Sequence, residues 1–247
     1  MRFVTRLVFV HGSVGNASAT WSAQRALEER FTCVFLTRGG YPPGPPLERI
    51  DFEAQADEVA AELREGDHLV AHSYGGVVSL LAAARKPVLA SLTVSEPPCF
   101  GVARGDAAVE EFLAQYESFE AAGPRDYLEF FLPLVGSEIR LPDPLPPALE
   151  QGARAAMAER TPDQAAIPLD ELAAATFPKL VISGVTTPRS TPSATCSRRA
   201  CRRSASCSAE SAIRCLAHRA TTMRWSSSSR VRRDRDGAAA HPRAARA

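Results

Sequence analysis

Long apolar runs are missing from this 247-residue chain. No segment approaches the ~20 consecutive apolar residues that cross a bilayer, so a membrane-spanning protein is not expected. The opening MRFVTRLVFVHGS sets arginines before an apolar run too brief for a signal-peptide core, and no small-residue cleavage site follows. A cytoplasmic location is the expectation. Paired cysteines are missing too. Cys33 and Cys99 stand alone in the body, and Cys196, Cys201, Cys207 and Cys215 follow near the end with no CxxC spacing. Zinc sites and dithiol redox motifs are thereby disfavoured, and neither a metal nor a cofactor is expected.

A large net charge is also lacking, since the formal balance is only +1. That figure averages two unlike pieces. Residues 1–184 carry 15 Lys and Arg against 25 Asp and Glu, whereas residues 185–247 carry 14 Arg, no Lys and 3 acids. The same tail has no Phe or Tyr, one Leu and 11 Ser. Its composition is that of a basic, disordered segment with too little apolar surface to fold.

What is present in the body is an alternation of strand and helix signals. LVFV (7–10), TCVFL (32–36), HLVAH (68–72), ASLTV (90–94) and KLVIS (179–183) are short apolar runs of the kind buried parallel strands show. Helical patterns lie between them over 20–31, over 51–64 with Asp51 as N-cap, and over 75–86. The last is apolar nearly all round and is expected to be buried against the sheet. Such alternation predicts an α/β fold with a mostly parallel sheet. The core is expected over 1–99 and 176–184. From 100 to 175 only helical periodicity remains, which predicts an inserted helical cap. One face of it carries Val109, Phe112, Leu113, Tyr116 and Phe119, and another Tyr127, Phe130, Phe131 and Leu134. These side chains either line a pocket or form the cap's own core.

Two motifs carry the chemistry. The first is VAHSYGGVV (70–78), a strand running straight into a helix with Ser73 at the tip. A serine held on so sharp a turn needs small neighbours two residues either side, and Ala71 and Gly75 supply them. The second is FVHGSVG (9–15) at the end of the first strand, where a backbone turn brings the N–H of Ser13 toward the same place. His11 and His72 are expected to serve structure.

With both motifs in order, residues 4–184 resemble the α/β-hydrolase superfamily. The resemblance implies a serine hydrolase acting on a small-molecule ester or related carbonyl compound through a Ser, an acid and a His. It makes Ser73 the nucleophile, with the backbone N–H groups of Ser13 and Tyr74 as oxyanion donors. Glu96, after the fourth strand, is the candidate acid, or else a charge at the start of the cap. A serine nucleophile disfavours the aspartate-based epoxide hydrolases and haloalkane dehalogenases. C–C bond hydrolases and cofactor-free haloperoxidases use the same scaffold and remain alternatives.

The chain also departs from the family pattern. The family's first two strands and its last are missing or unrecognisable, as is the glycine-flanked histidine. Only His218 and His241 follow the cap, and neither follows an apolar strand; His218 is the fallback base. A shift of reading frame accounts for this. In one constant neighbouring frame, synonymous codons for residues 186–197 permit HHPAFDAVCDVL, and those for residues 209–219 permit GVGHPVPRT. The competing reading is a non-enzymatic binding protein whose Arg-rich tail contacts nucleic acid or acidic surfaces. Trp225 is the only aromatic there and no nucleic-acid fold is recognisable, so a nucleic-acid partner is not expected.

Overall fold

The computed structural model describes residues 5–183. The basic tail, with His218, His241 and the reading of it as disordered or frame-shifted, lies outside the described residues.

Five strands, β1 (Arg6–Val10), β2 (Thr32–Leu36), β3 (His68–His72), β4 (Ser91–Ser95) and β5 (Lys179–Ile182), form one sheet in the order β2-β1-β3-β4-β5. Every pairing is parallel, as the apolar runs predict. The chain moves outward from β1 to β2 and then returns past β1 to β3. Ligand crevices in such sheets open beyond the carboxyl ends of the strands where the order reverses. Here the reversal lies between β1 and β3. Their register pairs Val10 with Ala71, so the turn at 11–13 and the turn at Ser73 emerge side by side.

Two helices on this sheet follow the pattern in the sequence. α2 (Phe52–Glu62) starts where the Asp51 side chain accepts from the N–H of Glu53 at 2.8 Å, and it turns Phe52, Ala56 and Val59 inward. α3 (Tyr74–Arg85) has ten of its twelve residues buried, which is why its sequence shows no polar face. The helix expected over 20–31 is different. A short α1 (Ala17–Thr20) forms first, capped by Asn16, and a 3-10 stretch covers Ala23–Glu29. Trp21 leaves the helical path to pack on Phe9, with ring centroids 5.2 Å apart. No residue of the 3-10 stretch is buried. Without an apolar stripe to bury, a longer α-helix there has nothing to stabilise it.

Between β4 and β5 the chain is helical: α4 (Ala107–Glu117), α5 (Pro124–Leu134), α6 (Pro147–Met157) and α7 (Leu169–Ala174). α5 and α6 pack through Leu128, Ala153 and Ala156, and Phe119 stacks on Phe130 with centroids 3.9 Å apart. Ala165, Leu172 and Phe177 join the core beneath the sheet instead. Among the described residues β5 is an edge strand, with Leu180 55% and Ile182 45% exposed. No helix among them is long and apolar enough to cross a membrane.

Candidate active site

Ser73 ends β3 and begins α3 with φ 53° and ψ −130°, a conformation that non-glycine residues rarely adopt. Its neighbours explain how the turn is held. The Ser73 N–H donates to Ser95 O (2.8 Å), and its carbonyl accepts from Gly76 N (2.7 Å). Gly75 lies directly under the carbonyl of His11, and Gly76 under the ring of Pro97, so neither position has room for a side chain. A Cβ on Gly12 would come within 2.7 Å of the Cβ of Ser73. The two motifs of the sequence therefore interlock backbone to backbone. Tyr74 is the first residue of α3, so its N–H has no acceptor within the helix.

The second turn is tighter still. Gly15 N donates to Ser13 O at 2.8 Å around Val14, whose φ is 68°. That is a γ-turn of the rarer hand, and a β-branched residue at its centre is strained. Ser13 and Ser73 face one cavity of about 370 Å³. Phe112, Leu113, Tyr116, Tyr127 and Phe131 form its apolar wall, whereas Val109 is buried and Phe119 and Phe130, stacked on each other, do not line it.

Glu96 and His72 also line this cavity. Glu96 follows β4 with φ 51°, and its N–H donates to Ile182 O (2.8 Å). Its Oε2 is 4.0 Å from His72 Nε2. Desolvation holds His72 below the usual imidazole range, with Glu96 acting in the opposite direction. His72 is thus part of the cavity wall rather than packed beneath the turn. His11 is fully buried, and its Nε2 accepts from the N–H of Arg38 (3.1 Å), which leaves the Nδ1 hydrogen for Gly12 O (2.7 Å). Burial, and then the charge of Arg38, lower its pKa to about 3. His11 is structural, as the sequence suggests. Cys99 is buried, which pushes its thiol up to about 12 and removes it as a nucleophile at neutral pH. No cluster of metal-ligating side chains occurs among the described residues.

A buried polar network beside Ser13 has no counterpart among the sequence motifs. Arg38, after β2, donates to Glu159 (2.5 Å), to Gln55 (2.8 Å) and to Gly12 O (3.1 Å). Its guanidinium lies 4.6 Å from the ring centre of Tyr41 and 4.8 Å from that of Tyr74. Tyr41 Oη (2.7 Å) and Ser13 Oγ (2.5 Å) also donate to Glu159. The one available signal was an arginine set between an apolar strand and two glycines, in FLTRGGY (35–41).

Comparison with known proteins agrees with this geometry. A model of the alpha/beta hydrolase family matches residues 7–225. A solved membrane phospholipase A, described as a bacterial virulence factor, is 26% identical with a TM-score of 0.55; the match covers 74% of this chain and 64% of that one. An alpha/beta hydrolase from Sphaerobacter thermophilus is 23% identical with a TM-score of 0.50, covering 74% of this chain and 76% of that one. An N-acyl homoserine lactonase solved with N-butanoyl homoserine is 16% identical with a TM-score of 0.51, over 74% and 72% of the two chains. No curated protein sequence matches. With a family model spanning most of its length and a parallel sheet that carries a strained serine at its reversal point, the chain belongs to the alpha/beta hydrolase family.

Proposed function

We propose that the chain is built for serine-nucleophile hydrolysis of a small ester or related carbonyl compound. The observation that carries this is Ser73 in a left-handed conformation at the tip of β3, pressed against the turn at 11–13 and open to an apolar cavity. Ser73 Oγ attacks the carbonyl carbon while its proton passes to a histidine base. The carbonyl π electrons move to oxygen, and that oxyanion accepts from the N–H groups of Ser13 and Tyr74. Collapse expels the alcohol, which takes the proton from the histidine. Water then releases the acid from Ser73 by the same route. Glu96 orients the histidine, and the helical segment between β4 and β5 selects the substrate.

We assign the base to a histidine outside the described residues. His11 is held by Gly12 and Arg38, and His68 Nδ1 is bonded to Ser91 Oγ (2.7 Å). His72 directly precedes the nucleophile and faces Glu96. The histidine belongs to the segment beyond 183, in the neighbouring reading frame. The phospholipase similarity supports an ester substrate with an apolar acyl group, which suits an aromatic cavity wall. A fluorophosphonate probe tests the reading. With the frame restored, labelling at Ser73 is expected and Ser73→Ala abolishes it; labelling that survives this substitution places the nucleophile elsewhere.

A further inference from the structure

We infer that Glu159 is a positioning residue that clamps the oxyanion turn from the helical segment. This deepens the proposal above and rests on it. Glu159 follows α6 in the chain, far from the motifs, yet Ser13 Oγ donates to its carboxyl oxygen at 2.5 Å. The backbone on either side of it is fixed. Ile50 N donates to Ala158 O and Arg160 N donates to Ile50 O, each at 2.8 Å, which ties the end of α6 to the loop before α2. Tyr74 Oη donates to Arg160 O at 2.8 Å, so both residues offered as oxyanion donors bind adjacent positions of one strap.

α6 presses on the same turn from above. Gly152 approaches the carbonyl of Val14 so closely that no Cβ fits between them. A γ-turn with Val14 at φ 68° does not persist unless its surroundings hold it. The Ser13–Glu159 bond and the Gly152 contact restrain the turn from the side of the helical segment, while Arg38 holds Gly12 O from the other. Arg38 and Tyr41 satisfy the other carboxyl oxygen of Glu159, so the clamp is itself fixed. Through Ser13 Oγ, Glu159 sets the direction of the Ser13 N–H. Its effect falls on the oxyanion and not on the bound substrate.

The test uses the full chain in five forms: unsubstituted, Ser13→Ala, Ser13→Thr, Glu159→Gln and Ser73→Ala. Ser13→Ala keeps the backbone donor and the Arg38–Glu159 pair, so it folds even if Glu159→Gln does not. Hydrogen exchange is read on the amides of residues 12–15, and p-nitrophenyl acetate hydrolysis is resolved into kcat and KM. Ser13→Ala is expected to speed exchange of the turn while leaving the strands unchanged. It should also lower kcat about tenfold or more, short of the ~10²–10³-fold seen when a donor is removed outright. KM should stay within about twofold, and Ser13→Thr should restore most of kcat. Turn exchange as slow as in the unsubstituted chain overturns the clamp. So does a KM increase in Glu159→Gln with kcat unchanged, which would make Glu159 a substrate contact. Hydrolysis unaffected by Ser73→Ala overturns the nucleophile assignment instead, and the exchange signature, which needs no catalysis, separates that failure from failure of the clamp.

Discussion

The carbonyl of His11 occupies the space that a side chain on Gly75 would need. The end of β1 and the start of α3 thus approach as bare backbone, and this contact fixes where Ser73 points. Gly75→Ala forces α3 away from β1. Overpacking of this kind costs about 1–3 kcal/mol, which urea unfolding will measure. In the frame-restored chain the same substitution is expected to abolish fluorophosphonate labelling while Ser73 is still present. Normal labelling would mean that the elbow does not depend on this contact.

His11 makes the fold sensitive to acid. Its folded-state pKa is about 3 against 6.5 for the free group, so between these values the unfolded chain binds a proton that the folded chain refuses. Its contribution to stability is complete above pH 6.5 and falls as pH drops toward 3, by roughly 1.4 kcal/mol per pH unit. Urea midpoints at pH 7, 6 and 5 measure the slope. His11→Asn lowers stability at pH 7, because the hydrogen bonds to Gly12 and Arg38 are disturbed, but flattens the slope below pH 6. An unchanged slope would assign the acid sensitivity to other groups.

Arg38 and Glu159 are 1% and 6% exposed at their side chains. Removing one partner strands a buried charge, so Arg38→Met should cost about 3–5 kcal/mol. The double variant Arg38→Met/Glu159→Leu removes both charges and should be more stable than the Arg38→Met single variant. It will stay below the unsubstituted chain, because the hydroxyls of Ser13 and Tyr41 lose their acceptor, at about 1–3 kcal/mol for each group that is left buried. A double-variant loss equal to the sum of the two single losses would show no coupling.

Local pattern made much of this legible in the sequence. Buried strands advertise themselves by runs such as HLVAH, and Ser73 by the strand-to-helix turn around it. Ser13 and Ser73 fall side by side because both follow strands that pair in register. The 3-10 stretch at 23–29 was not legible, since its form depends on Trp21 packing against Phe9, a contact between distant positions. The Arg38–Glu159 pair was hidden for the same reason. Its members stand 121 residues apart, and Glu159 looks like any exposed helix-end glutamate until α6 is laid on the turn. His72 misled differently. Strand alternation alone does not say that the last residue of β3 opens into a cavity beside Glu96.

A serine hydroxyl is a poor nucleophile near neutral pH and needs an adjacent base. Neither His11 nor His68 is free to serve, as each ring is engaged in structural hydrogen bonds. Triads stripped of a member retain only ~10³–10⁴-fold over water, from binding and the oxyanion donors. The chain as written is therefore expected to hydrolyse p-nitrophenyl acetate weakly, and the chain read in the neighbouring frame after about residue 184 to do so far faster. Equal rates at equal folded concentration would sink the frame-shift reading. In that event His72→Ala, His218→Ala and His241→Ala decide among the three remaining imidazoles. Loss of activity in the first would make the pair His72–Glu96, 4.0 Å apart in the cavity lining, the working base.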